Sequence, residues 1–217
     1  MNKKTIKRCC AAALAAAGVL LLQGCEVALL GAAAGGTITA FEDRRSSGTQ
    51  IDDESIELRI GTRVTERFGE KAHVNVNAYN RFVLLTGEAL DEATRAEIEK
   101  IAAGVNNVRG ITNEIQVAAP TPMSSRATDS FITSKVKARL LDARGVSPVH
   151  VKVATEAGVV YLMGVVTDPE AEEAVQVART TGGVRKVVKI LEICKPTDDI
   201  CRPRAKAPAE PAKKPGS

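Results

Sequence analysis

Val74-Asn75-Val76-Asn77-Ala78, followed by Phe82-Val83-Leu84-Leu85-Thr86-Gly87, is restated 77 residues later as Val151-Lys152-Val153-Ala154-Thr155, followed by Val159-Val160-Tyr161-Leu162-Met163-Gly164. Working outward, an offset of 76 or 77 residues also sets Ile60 on Val136, Val64 on Leu140, Asp91 on Asp168 and Arg109 on Arg185. Two copies are too few for a solenoid, so the duplication reads as two small tandem domains of about 65 residues each.

Within each copy the hydrophobic period changes in a fixed order. Ile56, Ile60, Val64 and Phe68 recur every fourth residue, as do Ile132, Val136 and Leu140, which describes an amphipathic helix ending at Gly69 or Gly145. Two strands follow, 73–78 with 82–87 and 149–154 with 159–164, each pair joined by a short turn. Asp168 is placed to cap a second helix with Pro169 at its first position, and residues 91–103 are its counterpart. Residues 108–117 and 184–193 supply third strands. The order αββαβ gives an α+β fold: in each domain a three-stranded mixed sheet carries two helices on one face. Gly87 and Gly164 end the second strands, where a missing side chain permits a bulge or close helix approach.

The amino terminus sets the compartment. Lys3, Lys4, Lys7 and Arg8 precede an apolar run over 11–22, and Leu22-Gln23-Gly24-Cys25 matches the bacterial lipobox, which implies cleavage before Cys25 and its acylation. Glu26 stands where an Asp, by family analogy, would retain a lipoprotein at the inner membrane, so an outer-membrane anchor facing the periplasm is expected. The expected division is a signal peptide over 1–24, a lipidated terminus and linker over 25–50, domains over 51–118 and 128–194, a linker over 119–127 and a Pro/Ala/Lys-rich, disordered tail over 195–217. In an oxidising compartment Cys194 and Cys201 are expected to pair as a disulfide. The alternative, a metal site, lacks the nearby histidine that a structural zinc set needs.

Composition fits small aliphatic cores: the chain has no Trp, aromatics are 3%, and the net charge of +4 is slight. No Ser-His-Asp set, metal cluster or phosphate loop is present in the pattern, which points away from an enzyme and from a cofactor; no nucleic-acid-binding pattern stands out either. His73 and His150 fall at equivalent strand starts, which reflects duplication rather than a metal pair.

The αββαβ order, the Val-x-Val strand, the Leu-x-Gly that ends the next strand and the Gly-Val-Arg approach to the third strand resemble the BON domain. Two copies behind a lipobox resemble the dual-BON outer-membrane lipoproteins of Gram-negative bacteria, and residues 43–53 look like that group's stretch ahead of its first domain. The resemblance implies a non-enzymatic protein that binds anionic phospholipid, supports outer-membrane integrity and gathers at division sites. It also implies that the first helix of the second domain faces the lipid. A protein-interaction scaffold for outer-membrane protein assembly is the second reading.

The two copies serve as controls for one another. Phe131, Ala138 and Leu141 form a second apolar stripe away from the core face, whereas Ser55, Thr62 and Thr65 hold the matching places in the first copy. Residues 53–68 carry four acids against Arg59, Arg63 and Arg67; residues 129–144 carry Lys135, Lys137, Arg139 and Arg144 against Asp129 and Asp142. Phe131, Lys135, Ala138, Arg139 and Leu141 are therefore the expected phospholipid contacts. The competing expectation is that Phe131 and Leu141 pack on the first domain. The resembled family carries Trp where this chain has Phe131, so the ring survives without its indole N–H.

Overall fold

A computed structural model describes residues 43–201. The signal segment, Cys25 and the tail beyond 201 lie outside the described residues. In the first domain, α1 (Ser47–Phe68) leads into β1 (Ala72–Tyr79), β2 (Phe82–Ala89), α2 (Glu92–Ala103), β3 (Gly110–Asn113) and β4 (Gln116–Val117). In the second, α3 (Met123–Asp142) leads into β5 (Val151–Glu156), β6 (Val159–Val166), α4 (Asp168–Arg179) and β7 (Lys186–Ile193). Both sheets are mixed: β1 and β5 run antiparallel to β2 and β6, which pair parallel with the strands after the crossover helix.

Each domain buries one aliphatic core between its helices and one sheet face. Ile56, Ile60 and Val64 of α1 and Ile98 and Ala102 of α2 meet Val83 and Leu85 of β2. Ile132, Val136 and Leu140 of α3 and Ala174 and Ala178 of α4 meet Val160 and Leu162 of β6. The α+β reading with both helices on one face is the observed architecture.

Several boundaries differ from expectation for local reasons. Ser46 caps α1 by accepting the Thr49 N–H at 3.1 Å, so that helix starts inside the stretch expected to be linker. Helix α3 starts at Met123, inside the expected 119–127 linker, because Pro122 needs no N–H partner at a helix entrance. The cap of α4 is Thr167, not Asp168: the Thr167 N–H donates to Glu170 at 2.7 Å, and Asp168 occupies the first helical position. The first domain's third strand is interrupted at Glu114 and Ile115, which turns the Ile115 side chain into the core. Gly87 and Gly164 lie before the strand ends and face neighbouring backbone rather than a packed helix: a Cβ there would stand 2.0 Å from the carbonyl oxygen of His73 on β1 and 2.3 Å from that of His150, the last residue of the short 3-10 turn ahead of β5.

One side chain in each first helix ties it to the hairpin that follows. The Asp53 carboxylate accepts the N–H groups of Asn80 (2.8 Å) and Arg81 (2.6 Å); Asp129 accepts those of Ala157 (2.9 Å) and Gly158 (2.8 Å). All four turn residues have positive φ, a conformation that exposes two adjacent N–H groups to one acceptor. Asp53 and Asp129 are buried, so neither contributes to the outward charge of its helix.

The helix-free sheet faces are not left to solvent. Tyr79 and Leu84 of the first domain share a third apolar cluster with Tyr161, Met163, Val165, Cys194 and Cys201 of the second. The layers therefore run helices, sheet, sheet, helices. Polar contacts edge this packing: Asn75 donates to Glu156 (2.8 Å), Asn80 to Glu192 (2.7 Å), and Lys152 donates to Glu57 and to the Ala78 carbonyl. Burial pushes the Tyr161 hydroxyl up to about 12, with Glu114 of the first domain adding to the shift. Ahead of α1, Arg44 crosses to the second domain and donates to both oxygens of Glu170 (2.7 and 3.1 Å) and to the Val165 carbonyl (2.9 Å). Cys194 and Cys201 are joined in a disulfide with Cα atoms 6.0 Å apart, under the same cluster.

Candidate lipid-contact surface

Helix α3 carries two apolar faces because its core side, Ile132, Val136 and Leu140, is already complete without the residues opposite. On that outer side Phe131 is 64% exposed and Leu141 60%. Neither packs on the first domain, which overturns the competing expectation for both. Met123, 74% exposed, and Ala127, Ser134 and Ala138, all exposed, share their side. At 3.6 residues per turn these six positions span an arc of about 80°. Met123 and Ala127 fall in the stretch 119–127 expected to be linker, although Pro122 is a legible entrance signal.

The basic residues divide by role. The Lys135 ammonium stands 4.8 Å from the centre of the Phe131 ring and donates to the Gly182 carbonyl. Arg139 donates to the Val177 carbonyl (3.0 Å) and to the hydroxyls of Thr181 (2.8 Å) and Thr180 (3.0 Å), satisfying the end of α4. Thus Lys135 and Arg139 border one side of the stripe while fastening α3 to the end of α4 and the turn after it. Lys137 is exposed on its other side, and Arg144, also exposed, follows the helix end. Asp142 lies at the stripe's edge, and buried Asp129 drops out of the outward balance. The structure thus brings Phe131, Lys135, Ala138 and Leu141 to one surface and puts Arg139 at its rim.

The contrast with the first domain is narrower than the matching positions suggested. Ser55, Thr62 and Thr65 do hold the places equivalent to Phe131, Ala138 and Leu141, yet Ile51 is 66% exposed and Leu58 71%. Ile51 and Leu58 align with Ala127 and Ser134 of the second copy. What α1 lacks is a basic balance and an aromatic residue on that outer side, since its Phe68 packs against the core. Among the described residues no helix is long and apolar enough to cross a membrane.

The two histidines are not brought together. His73 Nδ1 lies 3.2 Å from Glu88, and His150 Nδ1 lies 3.4 Å from Glu170.

Two mixed α+β modules with their bare sheet faces joined, and with helix-borne side chains exposed at the surface, define a tandem α+β protein. The BON domain family model matches residues 52–119 and 128–195, and the chain belongs to that family. It is similar to the 21 kDa hemolysin of Actinobacillus pleuropneumoniae, 38% identical over 151 residues, 69% of this chain and 78% of that protein. It is similar also to Outer membrane lipoprotein DolP of Haemophilus influenzae, 35% identical over 177 residues, 80% of this chain and 90% of that protein. Osmotically-inducible protein Y of Escherichia coli is 30% identical over 144 residues, 64% of this chain and 72% of that protein. The dual-BON arrangement is of the DolP type.

Proposed function

We propose that this protein is a non-enzymatic lipoprotein, anchored through Cys25 to the periplasmic face of the outer membrane, that binds anionic phospholipid through α3 and thereby supports envelope integrity, including at division sites. The observation that carries the reading is the exposed stripe of Met123, Phe131, Ala138 and Leu141 with basic residues on both flanks. The name of the DolP relative and the lipobox support the location.

Full burial of Phe131 and of Leu141 contributes about 1.5–3 kcal/mol each, and each basic residue near an anionic surface about 1 kcal/mol. Such binding is weak and salt-sensitive for the detached domains. Acyl chains on Cys25 raise the local lipid concentration enough for weak contact to matter.

Sedimentation of the fragment beginning at Phe41 with vesicles tests the reading, since that unit is compact and retains Arg44, Arg45 and the Ser46 cap. Binding is expected to anionic vesicles, to fall with salt, and to be lost in Phe131→Ser combined with Leu141→Thr. Unchanged binding by that double variant would sink the helix assignment. A fragment that ignores vesicles but binds an outer-membrane assembly or division-site protein favours the scaffold reading, for which exposed Ile51 and Leu58 are the supporting observation.

A further inference from the structure

We propose that His73, Glu88 and Glu156 form a site for one divalent transition-metal ion of zinc-like preference that clasps the two BON domains together. One ligand atom from each lies within 4.8 Å of the other two. His73 and Glu88 come from β1 and β2 of the first domain, and Glu156 ends β5 of the second.

The duplication shows Glu88 to be out of place as a purely structural residue. His73 has its counterpart in His150, but the position equivalent to Glu88 is Val165, which is buried in the apolar cluster between the sheets. Glu88 is buried on that same helix-free face, and Glu156, also buried, confronts it across the domain boundary. Two desolvated carboxylates facing one another are costly unless a cation or a proton is shared between them.

The ligand set selects the ion. An imidazole nitrogen with two carboxylate oxygens suits zinc and its neighbours, whereas calcium and magnesium favour all-oxygen shells of six or more. Ligands about 2.1 Å from a tetrahedral ion are about 3.4 Å apart, a contraction that side-chain torsions supply. A cavity of about 300 Å³ bordered by His73, Asn75, Thr86 and Glu156 leaves room for water to complete the shell. The second domain does not repeat the site: Val165 stands in place of Glu88, and the Glu170 beside His150 has both oxygens taken by Arg44.

Calorimetric titration of the full, chelator-treated chain with zinc chloride tests this. One ion per chain is expected, weakened at least tenfold in both His73→Gln and Glu156→Gln, retained in His150→Gln, and not displaced by millimolar magnesium or calcium. Since Glu156→Gln also alters the Asn75 contact, a second measurement uses the unaltered protein: cobalt ion should give ligand-field absorption and shift the ring resonances of His73 but not His150. The site is ruled out by an unaltered chain that shows no saturable zinc binding, by binding equally strong in both ligand variants, or by cobalt shifts at His150 alone.

Discussion

Asp129→Asn tests how α3 is held in place. The Asp129 carboxylate is buried and accepts two N–H groups, from Ala157 at 2.9 Å and Gly158 at 2.8 Å, in a turn whose φ angles of 48° and 73° leave those donors no strand partner. Asparagine keeps one acceptor oxygen and turns an amide NH₂ against the second donor. The loss is one charge-assisted bond, about 1.5–3 kcal/mol, plus an unsatisfied buried donor, so the net cost is about 2–4 kcal/mol. Urea unfolding of the fragment beginning at Phe41 measures it, and hydrogen exchange at the Ala157 and Gly158 amides localises it. Asp53→Asn should cost more, because Asp53 also pairs with Arg45 at 2.8 Å. A change below about 0.5 kcal/mol with unaltered exchange at both amides would refute the reasoning.

The Arg44 clasp should appear in the acid limb of stability. Burial raises the Glu170 carboxyl, but its bonds to Arg44 and Thr167 prevail and hold it at about 2 against an ordinary 4.5. A depressed folded-state value means the contribution is complete above about pH 4.5 and is lost as pH falls towards 2, so Arg44→Ala should flatten the pH dependence of the melting midpoint in that window. Gly87→Ala should destabilise more than Gly164→Ala, because Gly87 adds a φ of 111° to the closer contact; comparative unfolding midpoints decide it. Cys201→Ser opens a short loop and should cost about 2–3 kcal/mol under oxidising conditions and nothing relative to the reduced parent, as read by thermal melts with and without reductant.

The i, i+4 periods and Val-x-Val strands exposed the core faces because one buried side leaves a clean pattern, and the repeat checked each assignment against its twin. The joined sheet faces carry a sequence signal of their own. Val83-Leu84-Leu85 and the unbroken apolar run over 159–166 do not alternate, which is the mark of a strand covered on both sides. Asp53 and Asp129 were counted as surface charge, since composition does not distinguish a solvated carboxylate from one capping a distant turn. The Arg44–Glu170 pair spans 126 positions and has no periodic signature. Phe131 and Leu141 were found because an apolar residue off the core face breaks the helical pattern locally.

A tryptophan placed at the centre of the stripe tests the central claim most directly, since the chain contains none of its own. With anionic vesicles containing brominated lipid, Phe131→Trp should shift its emission to the blue and be quenched, while Leu58→Trp on α1 keeps the emission of a water-exposed indole. An unshifted, unquenched indole at 131, or equal quenching at 58, would contradict the assignment of lipid contact to α3.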